Sequence, residues 1–304
     1  MATRKGTPAR LPDFAPPVRA QPPAWNRATV RSLDGGTMLR RLVAACLAQI
    51  LPNAAEIAAG SRDPEHVHQL RVGLRRLRTA LREMAPYAGA LDAGWEKPAR
   101  RVFDALGAMR DHRVFVDTLA PGLRRAGAPL ADYAAHDAPA VGEADLGALV
   151  RGSAFQASLR DLKAFADQLG PATPSGRSAW KQLRHRLTRL QRHVMRDARG
   201  FETLPFDQQH RARKRLKRLR YLAAFVFPLF PPGRVAQWLD RVKPAQDALG
   251  KHIDLLMAAR HFTAQAKDDP RAWFAAGWLQ ARSIETASES RRRLKRLERA
   301  NVFW

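Results

Sequence analysis

The chain has a single cysteine, Cys46, in 304 residues. That count excludes a disulfide framework and a cysteine-rich metal site, and it fits a reducing cytoplasm. Carboxylates are scarce. There are 28 acidic against 53 basic residues, for a net charge of +25 and a pI near 11.5. No H-E-x-x-H pattern occurs, which removes the commonest helical zinc motif. No apolar run approaches the roughly 18–20 residues of a membrane span. The first 30 residues are rich in Pro, Arg and Ala and lack the apolar stretch of a secretory signal. No segment shows convincing strand alternation. Lysine is also sparse: only 10 of the 53 basic residues are lysine, the rest arginine. Arginine's planar fork matches phosphate oxygens in pairs, where lysine offers a point charge. A GC-rich genome enriches arginine as well, and composition alone does not separate the two causes.

A hydrophobic content of 45% is enough for a true core, so this is not a disordered basic protein. A charge of this size implies a polyanionic partner or a strongly anionic surface. The informative feature is a basic stripe that occurs twice. His68, Arg71, Arg75 and Arg78 recur as His210, Arg213, Lys217 and Arg220 with identical spacing. On a helix each set falls within a sector of roughly 80°. Leu70, Leu74, Leu77 and Leu81 lie beside the first sector, and Ala212, Leu216, Leu219 and Ala223 beside the second. Each cationic row thus borders an apolar face, where a merely solvated row would point away from it. This arrangement aims charge into a cleft or along a bundle seam.

Residues 1–30 read as a disordered, basic, Pro-rich tail. Helical periodicity then predicts helices near 31–51, 64–85, 94–120 and 145–169. A second set follows near 177–198, 207–227, 234–267 and 271–299. The longest connection is the loop 121–144, and the Pro- and Gly-rich 171–176 separates the two sets. The repeat extends beyond the stripes. Pro86 matches Pro228, and Trp95, Asp104, Ala105, Leu106, Gly107 and Asp111 match Trp238, Asp247, Ala248, Leu249, Gly250 and Asp254. The expected fold is all-α: two four-helix-bundle repeats, 31–170 and 177–304, related by a pseudo-two-fold axis around a basic central groove.

These residues resemble a known family. Val67-His68-Gln69-Leu70-Arg71-Val72 through Arg75-Arg76-Leu77-Arg78 is similar to the signature of the CHAD domain, the conserved histidine α-helical domain. His210-Arg211-Ala212-Arg213 through Lys217-Arg218-Leu219-Arg220-Tyr221 resembles its second copy. Leu106-Gly107 with Arg110-Asp111, Leu249-Gly250 with Asp254, and the closing Asn301-Val302-Phe303-Trp304 are also like the family. The resemblance spans 31–304. It implies two four-helix units around a basic groove, binding of inorganic polyphosphate, and a cytoplasmic location at polyphosphate granules. Some members carry a CYTH triphosphatase domain. Its E-x-E-x-K strand is absent here, so a stand-alone binding module is implied. One departure is Gly73 inside the first stripe helix, which costs up to about 1 kcal/mol against Ala.

The expected polyphosphate-binding residues are the eight of the two stripes. Arg76, Arg82, Arg100, Arg218 and Lys243 form a second tier. His68 and His210 are compatible with core, metal-ligand or phosphate-donor roles, of which donation to phosphate oxygen is preferred. A helix N-terminus disfavours the protonated ring, and a bound polyanion favours it. Asp104, Asp111, Asp247 and Asp254 are read as carboxylates that orient arginine forks, a role that overlaps with interhelix ion pairing. Arg100 and Lys243 stand four residues before Asp104 and Asp247, a helix ion-pair spacing. Arg186, Arg189 and Arg192, and the run Arg291 to Arg296, either extend a binding surface or face water. No metal, cofactor or catalytic set is expected. The competing readings are an RNA- or DNA-binding helical protein, an enzyme of phosphate metabolism, and an adaptor that coats a granule with other granule-associated proteins. Nucleic-acid binders interleave aromatics with charge, and Tyr221 is nearly the only aromatic close to either stripe in sequence. Nucleic acid is therefore expected as a non-specific competitor.

Overall fold

The computed structural model describes residues 14–87, 91, 93–129, 143–168 and 179–304. Among these the chain is all-helical. Its helices are α1 (Gly35–Ala58), α2 (Pro64–Glu83), α3 (Glu96–Val114), α4 (Ala120–Arg125), α5 (Glu143–Arg151) and α6 (Ser153–Asp167), then α7 (Ala179–Ala198), α8 (Phe206–Ala224), α9 (Pro232–Gln265) and α10 (Ala272–Glu298).

Local chemistry sets the helix ends. Asp34 caps α1 by accepting from the Thr37 N–H at 2.9 Å, and Asp63 caps α2 from the Glu65 N–H at 2.7 Å, with Pro64 pre-set for the first turn. Two expected helices are divided. The helix near 94–120 runs from α3 through a single π turn, Phe115–Leu119, into α4, which opens at Ala120-Pro121 and extends to Arg125. Proline suits a new first turn because its missing N–H would be unsatisfied there anyway. The helix near 145–169 breaks at Gly152, whose extended backbone separates α5 from α6. Most of the predicted 121–144 loop and all of 171–176 lie outside the described residues.

Packing follows the sequence order in both halves. α1 packs on α2 and α7 on α8; α2 packs on α3 and α8 on α9; α6 contacts α1 and α3, as α10 contacts α7 and α9. The two stripe helices, α2 and α8, also touch each other. One core runs through both halves, from Leu39, Leu42 and Leu74 to Leu216, Trp238 and Phe303. The Trp pair matched in sequence is buried in both halves, Trp95 and Trp238 alike. A second cluster joins Phe115 and Leu123 to Leu255, Phe262 and Leu279.

Gly73 has a packing reason. A Cβ there would stand 2.7 Å from Ile50 Cγ1, so the close crossing of α1 and α2 requires glycine.

Residues 14–30 differ from the expected disordered tail. Asn53 clamps Val18 by exchanging two hydrogen bonds with its backbone, His66 donates to the Ala15 carbonyl, and Arg76 donates to the Gln21 carbonyl. Further along, Trp25 donates to the Phe225 carbonyl and Arg27 to that of Pro228. The segment therefore straps the first-half helices to the second. The sequence concealed this because the partners are backbone carbonyls, which carry no residue signature.

Candidate functional site

The apolar faces of α2 and α8 fix where the stripes point. Leu70, Leu74 and Leu77, like Leu216 and Leu219, are fully buried, which leaves the adjoining sectors at the margin of the core. His68 is exposed; Arg71, Arg75 and Arg78 are half-buried; Arg213 is buried; His210, Lys217 and Arg220 are half-buried.

Across the α2–α8 contact, Arg75 lowers the pKa of Arg213 and Lys217, and Arg213 lowers that of Arg71. Burial first, and then Arg75, pull Arg71 down to about 10, with Arg213 adding to the repulsion. Burial lowers Arg213 as well, against Asp254, which favours its charge. Lys217 responds most. Burial, followed by Arg213, Arg75 and Arg110, takes its amine from the ordinary 10.5 to about 6. His210 is lowered by burial and then by Lys214, Arg213 and Lys217. The expected direction holds for His210, with desolvation and neighbouring cations as its causes.

Each half places a stripe arginine over the Gly of the Asp-Ala-Leu-Gly segment. A Cβ on Gly107 would lie 3.7 Å from Arg71 Nη1, and one on Gly250 would lie 3.9 Å from Arg213 Nη2. Arg71 Nη1 also donates to the Leu106 carbonyl at 2.9 Å.

The four carboxylates divide into two kinds. Asp254 accepts from Arg213 Nη2 at 3.1 Å and from Arg110 Nη2 at 3.2 Å, and Arg110 Nη1 reaches Asp111 at 2.9 Å. Burial opposes the charge of Arg110, but Asp254 and Asp111 outweigh it and hold its pKa above the ordinary value. Asp104 and Asp247 are exposed. Asp104 forms only a surface pair with Arg100 at 3.4 Å. Lys243 is exposed, and among the described residues it makes no matching pair with Asp247.

The other second-tier residues scatter. Arg76 is 2% exposed and belongs to the interior, where it donates to Gln49 Oε1 and the Gln21 carbonyl and lies over the Phe225 ring. It has no path to a ligand at the stripes. Arg218 pairs with buried Glu83 at 3.3 Å, and Arg82 is exposed. Arg189 and Arg192 are exposed and Arg186 half-buried. Within the terminal run, Arg291 is paired with Glu202, and Arg292 and Arg293 with Glu289. Cys46 is buried, and its thiol is pushed up to about 12 by that burial, which leaves it inert.

Three residues at the stripes escaped the sequence reading. Phe103 of α3 carries the guanidiniums of Arg71, Arg75 and Arg78 on one ring, at 5.5, 5.2 and 5.1 Å from its centroid. The aromatic poverty expected near the first stripe thus does not hold in space. Gln246 of α9 accepts from Arg220 Nη1 at 3.2 Å. Phe206, at the start of α8, places its ring 5.8 Å from that of His210. A cavity of about 560 Å³ opens beside the first stripe, lined by His68, Arg71 and Arg110 together with Val67, Met109 and Val116.

Among the described residues there is no group of three or more His, Cys, Asp or Glu arranged to hold a metal, and no helix is long and apolar enough to cross a membrane.

A search among curated proteins gives no match. The crystal structure of the CHAD domain from the plant Ricinus communis is similar in fold, with a TM-score of 0.71 at 23% identity, covering 95% of this chain and 99% of that one. The family model of the CHAD domain matches residues 41–263, a span that contains both stripes. On that match, the chain belongs to the CHAD domain family.

Proposed function

We propose that this protein binds inorganic polyphosphate, without an enzymatic step, in a basic groove between two helical repeats related by a pseudo-two-fold axis. The observation that carries the reading is the shared cluster of Arg71, Arg75, Arg213 and Lys217 across the α2–α8 contact. Cations from two helices depress one another's ionisation there, and Asp254 already serves Arg110 and Arg213. Such a cluster is unfavourable alone and is relieved by a ligand carrying many negative charges. The equivalent packing of α1, α2, α3 and α6 with α7, α8, α9 and α10 supports the repeat.

Polyphosphate suits the site better than nucleic acid because the aromatic ring at the first stripe is occupied. Phe103 is engaged by three guanidiniums rather than offered to a base. Binding would proceed by counterion release. With all eight stripe groups charged in the complex, the log K against log salt slope is expected to be very roughly −5, by analogy with single-stranded nucleic acid. Association with cytoplasmic polyphosphate granules follows from the ligand.

The test is a competition titration of long-chain polyphosphate, single-stranded RNA and duplex DNA at one salt concentration. Polyphosphate is expected to bind tightest at matched phosphate. Equal or tighter binding of RNA overturns the reading in favour of a nucleic-acid-binding protein.

A further inference from the structure

We propose that Phe103 is a positioning residue for polyanion binding: its ring gathers Arg71, Arg75 and Arg78 into one array of charged forks. The inference rests on the polyphosphate reading above and adds to it a residue that makes no hydrogen bond to phosphate itself.

The geometry is specific. Arg71, Arg75 and Arg78 occupy positions i, i+4 and i+7 of α2, so their backbones span about 10 Å along the axis. Their guanidinium carbons nevertheless converge on one ring of α3, all within 5.5 Å of its centroid. Three like charges do not converge unaided. The negative face of an aromatic ring attracts a guanidinium and tolerates its flat stacking.

A carboxylate at this place would also gather arginines, but it would cancel charge that the ligand needs. The ring orients the side chains without neutralising them. Among the described residues no carboxylate pairs with Arg75 or Arg78, so their charge is not cancelled within the protein. The second half shows the alternative. There the position equivalent to Phe103 is Gln246, which holds Arg220 through a single hydrogen bond, while Arg213 is held by Asp254.

Phe103 is only partly buried, at the border of the core, so its replacement by another apolar side chain preserves the packing. Phe103→Leu keeps the apolar contact and removes the ring; Phe103→Tyr keeps the ring. The affinity of each for long-chain polyphosphate is measured by titration over a range of salt, with melting of the free protein as the control. Phe103→Leu is expected to weaken binding roughly tenfold and to make the salt slope shallower, because fewer forks converge on the ligand. Phe103→Tyr is expected to restore both. A merely structural role would lower the melting temperature and leave the salt slope of the folded fraction unchanged.

If Phe103→Leu folds poorly, Phe103→Met measured against Phe103→Tyr gives the same contrast. Wild-type protein that fails to bind polyphosphate defeats the functional reading. Wild-type binding together with unchanged affinity and slope in the Leu or Met variant defeats the positioning role alone. A loss confined to RNA binding would also overturn it, since it would make the ring a base-stacking platform.

Discussion

The two stripe helices repeat one spacing of charge and hold it by different chemistry. On α2 the guanidiniums rest on the ring of Phe103, and Arg71 is anchored to the Leu106 carbonyl. On α8 Arg213 is tied to Asp254, Arg220 to Gln246, and Lys217 sits among arginines with its amine lowered to about 6. The same sequence positions have diverged. Phe103 stands where Gln246 stands in the other half, and Asp111, whose side chain is 41% exposed, corresponds to Asp254 at 15%. The two stripes therefore share where the cations stand while the environment of each differs. The first half presents permanent charge. The second presents one charge that depends on pH and another that depends on a single half-buried carboxylate.

The largest expected effect breaks that comparison at the aspartates. Asp254→Asn leaves Arg213 buried without its counter-charge and removes one of the two anchors of Arg110. Asp254 is half-buried, so the loss is expected to fall somewhat short of the fully buried case, at about 2 kcal/mol. Asp111→Asn disturbs a more exposed pair and is expected to cost under about 1 kcal/mol. Urea unfolding of the two variants measures the difference. Equal losses would mean that the lower exposure of Asp254 contributes nothing to holding the halves together.

A smaller effect is expected on binding. Arg75→Gln and Lys217→Gln, with helical content and melting verified, should each weaken polyphosphate binding without changing the number of ligand chains bound. Loss of one charge-assisted contact of about 1.5 kcal/mol corresponds to roughly tenfold. At pH 7 Arg75→Gln should be the more damaging, because the free protein already holds Lys217 largely neutral. Titration calorimetry with a long chain reads both quantities. Two independent sites would instead give half the stoichiometry at full affinity in either variant.

What the sequence revealed of this arrangement, and what it hid, follows from the repeat itself. The helices were legible because Leu70, Leu74 and Leu77, like Leu216 and Leu219, keep the helical period beside the charges. The α2–α8 contact was suggested by the matched stripes. Phe103, Gln246 and Phe206 were not legible, because reading by repetition favours residues present in both halves and each of these occurs once. Arg76 misled because it adjoins the stripe in sequence, yet its direction on α2 carries it into the core against Gln49 and Phe225. The strap of residues 14–30 was hidden by its composition: Pro and Arg suggest disorder, and its anchors are carbonyl groups.

The smallest effect concerns pH and sharpens the contrast between the halves most directly. Lys217 has a folded-state pKa of about 6, lowered from 10.5 by burial and then by Arg213, Arg75 and Arg110, and opposed by Asp254. A bound polyanion raises it, so binding takes up a proton. Affinity for long polyphosphate, whose internal groups stay ionised, should be greatest near pH 6 and fall as pH rises toward the bound-state pKa. One linked proton limits the fall to at most about tenfold per pH unit. His210, also lowered, contributes with the same sign at the acid end of this range, so the informative window is pH 7 to 8.5. The stability of the free protein should move the opposite way. The unfolded chain holds the Lys217 proton more tightly than the folded chain, so this group disfavours folding most fully below about pH 6. Its cost is relieved as pH rises from there toward 10.5. Lys217→Arg keeps the charge at all these values, and its affinity should be nearly flat between pH 7 and 8.5. Arg75→Gln removes one of the cations that lower Lys217, so its affinity should be reduced and its fall with pH should begin at higher pH than in the wild type. A Lys217→Arg variant as pH-dependent as the wild type would show that the proton is taken up elsewhere and that the two stripes do not differ in this respect.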